Sequence, residues 1–543
     1  MKPKNLARNL FGNSATLTAV IVASFALPAA NAATVVWDGN GTGATDLGTA
    51  VNWSTNALPS VSADTIQWNG TVSGPLSLVY SNTAFVGSAG NAGVNIDVTA
   101  LQTGSLSIDS GTNTSSIRMN NLTIAAGAGA FTLGDGVNTT NLTLGGGVST
   151  QTWTNNSSNT ATIGSDVVWG LGGGGAHTLA LGGSGNWAFN NNAGQGSGTL
   201  TVTKSGAGTA TFSGSANAYK GNTTVTGGTL NLTGGSAMTG GFFVNGGGTM
   251  ALTGTFGAVG TGNLLIVGQA TKGTLKIQAG TTLSRNNMFV GDGAGDGAVY
   301  QTGGALTLTQ AGIDTLRVGS ANSGKGYYKL SGGTLTVGEM AVGASLADTV
   351  GVMDVTGGTL SNSGWVAIAR GSATSSGVLN VTGGSLSALR IDNAWAANAS
   401  SVSVLNVGGG AGAATVSTTG STTLGLNLLN NDTAGSLSVA NLLTNGVLTT
   451  GKVYASGGVN PTALLNFNGG TLKAAATNAG VDFLNDANID AVTVYSGGGT
   501  IDNNSQNITI GKQLLAASGS GAWPCGGACV GACGGACGRG GAA

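Results

Sequence analysis

A short turn, Gly-Gly-Thr-Leu or a close variant, recurs along this chain at Gly227, Gly247, Lys272, Gly303, Gly332, Gly357, Gly383, Gly469 and Gly498. From Gly227 to Gly383 the steps are 20, 25, 31, 29, 25 and 26 residues. A period in the twenties is the mark of a solenoid in which each repeat forms one coil. Paired glycines permit positive φ and a sharp corner. The Thr-Leu that follows starts a strand with leucine turned inward. A second element, Val-Gly, stands between copies, as in Phe289-Val290-Gly291 and Val318-Gly319. No proline occurs between Pro75 and Pro461, as stacked ladders require, because each proline deletes a backbone donor. The expected fold is all-β, a right-handed parallel β-helix (β-solenoid) over residues 81–514. A set of antiparallel β-sandwich domains is the rival, but no hairpin grammar or domain linker recurs.

The clearest repeat lies within residues 198–235. Leu200 and Val202 alternate with threonines, Ser205-Gly206-Ala207-Gly208 breaks the run, and Ala210 and Phe212 resume it. A polar turn with Asn217, Tyr219 and Gly221 leads to Val225, Gly227-Gly228, Leu230 and Leu232. Period-two alternation cut by Gly and Asn marks half-buried strands with tight corners. Lys204, Gly206, Gly208, Thr209, Gly214, Asn217, Tyr219, Gly221, Thr223, Thr224, Val225, Gly228 and Leu230 follow a known pattern. On these residues the stretch resembles the autotransporter-associated β-strand repeat, also called the passenger-associated transport repeat. Ala210 stands where that family has a larger apolar residue, and one extra residue separates Gly214 from Asn217. The resemblance implies one segment of a parallel β-helix in an exported passenger, and it implies no catalytic residue.

Composition agrees with a solenoid and removes other classes. Charged residues make up 7% of the 543, against roughly 25% in ordinary soluble proteins. Low charge with a mean hydropathy of +0.22 is the reverse of a disordered chain. There are 101 glycines but no triplet period, which excludes collagen. Lys2, Lys4 and Arg8 belong to the leader, leaving 15 basic and 19 acidic residues in the mature chain. No basic run appears, so nucleic acid is not an expected partner.

The ends differ from the middle. Residues 1–32 read as a signal peptide: a basic start, an apolar Leu17–Leu27, and Ala30-Asn31-Ala32 before a cleavage between Ala32 and Ala33. No later run is long and apolar enough for a membrane helix. Residues 33–80 hold Trp37, Trp53 and Trp68 and read as a Trp-rich cap over the first coil, which a solenoid end needs. The rival reading of this segment is a small carbohydrate-binding module with stacked tryptophans.

Residues 515–543 form a Gly/Ala/Cys low-complexity tail, expected to be unstructured, with Cys525, Cys529, Cys533 and Cys537 each four apart. A reading-frame artefact, a disulfide cross-linking tail and a metal or redox tail all fit it. The spacing is not a standard zinc pattern. Nothing after Leu515 reads as amphipathic barrel strands or as an apolar sorting helix.

The inventory for catalysis is thin. His177 is the only histidine and Glu339 the only glutamate. Each reads as a polar turn residue, since no nucleophile elbow accompanies His177 and hydrolysis of a glycosidic bond needs a placed carboxylate pair. Asp292, Asp296, Asp314 and Arg317 form the nearest acid–base group, and Gly291–Gly297 faintly resembles a calcium loop that occurs once. Catalytic, cofactor-binding and metal residues are therefore all expected to be absent. The expected function is that of an exported, non-catalytic β-helical passenger, structural or adhesin-like, secreted or at the cell surface. Extracellular glycans or cell-surface components are its candidate partners. The alternative is a polysaccharide lyase, hydrolase or glycan-binding protein on the same scaffold.

Overall fold

The computed structural model describes residues 32–518, apart from 42–44, 61–63, 81–92, 112–115, 146–148, 172–174, 195–197, 236–237, 258–262, 311–314, 322, 346–347, 372–373, 396–400, 421–423, 431–434, 457–460 and 477–480. The leader, with its cleavage site at Ala32–Ala33, falls almost wholly outside the described residues, and the four cysteines wholly so.

The chain winds into a parallel β-solenoid of about 15 coils. Among the described residues every pairing of two strands is parallel, from Thr34–Val36 against Thr65–Trp68 at the start to Ala491–Val494 against Leu514–Ala516 at the end, and two isolated bridges, Trp37 to Trp53 and Leu443 to Gly469, are antiparallel. The one helical element among the described residues is a single 3-10 turn, Ala50–Asn52. No helix among them is long and apolar enough to cross a membrane.

A coil in the C-terminal half has three sides. Leu316–Ser320 lies on the first face, Lys325–Leu330 on the second and Thr334–Val337 on the third. The next coil places Met340–Ser345 on the first face, and one bent strand, Val350–Asn362, covers the other two.

Register explains the core. On the second face one inward column reads Ile163, Phe189, Phe212, Leu232, Leu252, Ile277, Gln301, Leu330, Val355, Val381 and Val407. Each apolar member is buried, and each such burial contributes about 1.5–3 kcal/mol. Gln301 is the polar exception and is fully engaged. Its Oε1 accepts from Tyr328 Oη at 2.5 Å, and its Nε2 donates to the Thr334 carbonyl at 2.9 Å. The N-terminal half also carries an aromatic core that composition concealed: Trp153, Trp169, Trp187, Phe189 and Phe212 are packed ring to ring, with Phe189 on Phe212 at 4.3 Å.

Two corner columns set the coil. The second glycine of the turn has positive φ at Gly304, Gly333, Gly358 and Gly384 (71–78°), as the sequence requires. The turns do not form one column, however. Gly228-Thr229, Gly248-Thr249 and Gly273-Thr274 stack on the second face, while Gly304-Ala305, Gly333-Thr334 and Gly358-Thr359 mark the third. The long step of 31 residues, from Lys272 to Gly303, is where the motif changes face. A four-residue pattern that can start a strand at either corner does not say which corner it occupies.

The Val-Gly elements form the other column. Gly268, Gly291, Gly319 and Gly343 end first-face strands at φ 66–74°, and Ala369 and Ala394 continue the column at 55° and 47°. Glycines on the following strand, among them Gly297, Gly326 and Gly351, lie directly beneath. A Cβ on Gly326 would land on the Gly319 amide nitrogen and the Val290 carbonyl oxygen. We expect Gly326→Ala to cost on the order of 3 kcal/mol through this backbone overlap. Ala369→Gly should instead stabilise by about 1 kcal/mol, because it relieves left-handed strain. Thermal melting of the two variants checks both signs.

Candidate functional site

The repeat at residues 198–235 closes on a polar corner. Lys204 ends a first-face strand, and its side chain turns in and is fully enclosed. Its Nζ donates to the carbonyls of Ser205 (2.5 Å), Gly206 (3.0 Å) and, in the next coil, Gly227 (3.4 Å). Burial pushes this ammonium down to about 8, while the three acceptors favour its proton. Asn217 ties three coils together. Its Oδ1 accepts from the Ala193 amide, and its Nδ2 donates to the Gly214 and Gly234 carbonyls at 2.7 and 2.8 Å. Tyr219 is buried; its Oη accepts from Thr223 Oγ1, and its ring packs on Phe212. Lys204, Asn217 and Tyr219 thus act as fasteners between coils.

A second cluster, which the sequence did not suggest, lies on the outer side of the first face. Trp365 and Trp395 pack at 4.6 Å between centroids. The Arg390 guanidinium lies 3.6 Å over Trp365, and that of Arg370 lies 4.4 Å over Trp395. Each arginine also meets a carboxylate. Arg370 Nη1 donates to Glu339 Oε1 at 2.9 Å. Arg390 Nε stands 2.6 Å from Asp392 Oδ2, without the angle of a hydrogen bond. Asp392 is completely enclosed and accepts from Asn430 Nδ2 at 3.2 Å. Burial raises its carboxyl above the ordinary 3.8, against the pull of Arg390 and the neighbouring asparagines. One coil period brings the group together: Glu339, Trp365 and Arg390 are 26 and 25 residues apart, and Arg370 and Trp395 are 25 apart. Reading outward positions at that spacing would have found it. Chemically the cluster is a clamp, with two cations held on indole faces and their carboxylates turned to them rather than to a substrate.

The residues singled out in the sequence are scattered. His177 is not in a turn. It sits in the strand Ala176–Gly182, buried, with Nδ1 3.4 Å from Gln151 Nε2. Glu339 is not a solvated turn residue either, being nearly enclosed and ion-paired to Arg370. Asp292 ends a first-face strand, Asp296 starts the next strand on the second face, and Arg317 packs over Phe289 at 5.2 Å. Asp314 lies outside the described residues. No group of three or more His, Cys, Asp or Glu side chains that could hold a metal gathers among the described residues. Trp37, Trp53 and Trp68 are buried to 1% exposure or less and pack edge to face, so they offer no stacking platform to a sugar. Trp53 Nε1 donates to the Leu47 carbonyl, and residues 45–47 pair with the edge at Val79.

Fold and corner together define a parallel β-solenoid whose coils are pinned by a buried lysine, an asparagine and a tyrosine. Residues 202–232, the coil carrying these fasteners, match the family model of the passenger-associated-transport-repeat. No curated protein and no solved structure matches the chain. The matching repeat and the β-helix together suggest an exported passenger domain.

Two outcomes follow from the buried groups. Lys204→Met orphans three carbonyls and should cost about 2 kcal/mol, read as faster amide exchange around Gly206 and Gly228. Asp392 binds its proton more tightly folded than unfolded. Its stabilising contribution is complete below pH 3.8 and is lost as pH rises through the elevated value. Asp392→Asn should remove that fall, so its melting temperature relative to the parent should rise from acid to neutral pH.

Proposed function

We propose that this chain is the passenger of an exported bacterial protein. It works as a non-catalytic rod, a stalk, coat or adhesin-like element, in the medium or at the cell surface. The observation that carries this reading is the match at residues 202–232, which falls on one coil of a continuous solenoid and not on an isolated motif. The architecture suits the role. About 15 coils at about 4.8 Å each make a rod about 70 Å long. With Arg370 and Glu339 paired to each other and Asp392 enclosed, the charged groups of the first face work as fasteners between coils.

The leader is part of the proposal: residues 1–32 direct export and are removed before Ala33. A fusion of residues 1–60 to a reporter enzyme that is active only outside the cytoplasm should be active, and deleting residues 2–27 should silence it. N-terminal sequencing of the exported full chain should begin at Ala33. A silent fusion, or an unprocessed chain confined to the cytoplasm, would sink the reading.

A further inference from the structure

The second face carries a charged and aromatic groove that the linear sequence hides. Four of the 15 basic residues after the leader, Lys272, Lys276, Lys325 and Lys329, meet here within three neighbouring coils. Lys276, Tyr300 and Lys329 occupy one outward row, while Ala298, Tyr327 and Val352 occupy the next. Tyr300 is 38% exposed, and its ring meets Tyr327 edge to face at 5.8 Å. Between Lys272 and Lys325 these side chains border a hollow of about 490 Å³ with a mainly apolar lining. A polar hollow of about 460 Å³ adjoins it along the same face, lined by Thr229, Asn231, Thr249 and Lys276. None of the four lysines forms an ion pair among the described residues, although one acid, Asp296, is the register partner of Lys325 and also lines the hollow. Asp354, the acid opposite Lys329, is already held by Tyr327 Oη and Asn380 Nδ2, both at 2.7 Å.

We propose that this groove binds an acidic polysaccharide, a chain of sugar rings bearing carboxylates, laid along the solenoid axis. The exposed Tyr300 ring, the half-buried Tyr327 beside it and the Ala298–Val352 strip suit the C–H faces of sugar rings. The threonines and Asn231 beside them supply hydrogen-bonding groups for hydroxyls. The lysines answer spaced carboxylates as point charges on flexible stems. The charge is complementary to such a chain in an otherwise acidic protein, and attraction between the two would steer encounter. A phosphate backbone fits less well. It presents dense charge and calls for a continuous Lys/Arg track, whereas here the cations are divided by apolar and aromatic surface and include no arginine. The six coils from Thr211 to Lys329 span about 24 Å at the spacing of adjacent strands, long enough to engage several sugars.

The test uses the purified full chain with alginate as probe, dextran as the uncharged control and single-stranded DNA as the phosphate control. Calorimetry or surface binding should show alginate bound at low salt and weakened about ten-fold near 0.5 M salt, where exposed charges are screened. Dextran should not bind. Lys272→Gln with Lys325→Gln should weaken alginate about ten-fold, and Tyr300→Ala several-fold, with melting temperatures unchanged because these side chains are exposed. Lys512→Gln, at the far end of the rod, should have no effect. The proposal fails if alginate does not bind, or if binding survives the lysine and tyrosine variants. It fails equally if DNA binds as tightly and Tyr300→Ala is silent, which would mark a charge patch without sugar recognition. Because the assay uses purified protein, it stands apart from the export experiment, and either can fail alone.

Discussion

Backbone hydrogen bonds in this protein run along the axis, from each coil to the coils before and after it. That single constraint governs the rest. Parallel ladders hold only if the corners of successive coils superpose, so the corner residues have little freedom. The Gly268–Gly343 column needs positive φ at each step, and the glycines beneath it, such as Gly326, need a missing side chain at each step. Ala369 and Ala394 show the strength of the requirement: an alanine is held in left-handed backbone so that the column can continue. Strain of about 1 kcal/mol at such a residue is small beside a ladder of hydrogen bonds and a buried coil.

Superposition also turns a one-dimensional sequence into rows. An asparagine row shows this plainly. Asp354, Asn380, Asn406, Asn441 and Asn466 lie in register on the outside of the second face, each amide donating to the preceding side chain at 2.7–2.9 Å. Such a row fixes register from outside while the apolar columns fix it from inside. The same stacking assembles Glu339 with Arg370 and the Trp365–Trp395 pair, and gathers four lysines from a 58-residue stretch onto one face. In a solenoid, proximity is set by coil length, so residues about 25 apart are neighbours.

This explains which features could be read from sequence. The glycine corners, the strand alternation and the repeat at residues 198–235 are local, and each needs only a few consecutive residues to declare itself. Parallel coils followed from their recurrence. The outer sites were illegible for the same reason: they depend on exact coil length, and that length varies from 19 to 35 residues with the segments between strands. Glu339 and His177 were misplaced because a lone polar residue flanked by glycine looks like a turn. Only stacking reveals that His177 lies in register beside Leu200 within a ladder, and that Glu339 has Arg370 one coil further on. Tryptophans invite a binding reading in sequence, yet the fold used Trp37, Trp53 and Trp68 as core.

One outward position, followed along the second face, separates what the fold needs from what it leaves open. It reads Thr209, Thr229, Thr249, Thr274, Ala298, Tyr327, Val352, Val378, Val404, Val439 and Leu464. Over the same coils the inward column from Phe212 to Phe467 stays apolar, apart from Gln301. The fold therefore places no demand on the outer row beyond tolerance of a strand, which threonine, tyrosine and valine all satisfy. The row nevertheless changes character once, from hydroxyl to aliphatic, and the change falls at Ala298 and Tyr327, where the lysines collect. The switch falls in the coil where the Gly-Gly-Thr-Leu turn moves from the second face to the third, and the turn's threonines leave the row with it. The turn's departure does not dictate what takes the threonines' place, and the aromatic and lysine side chains that do so form the groove proposed above.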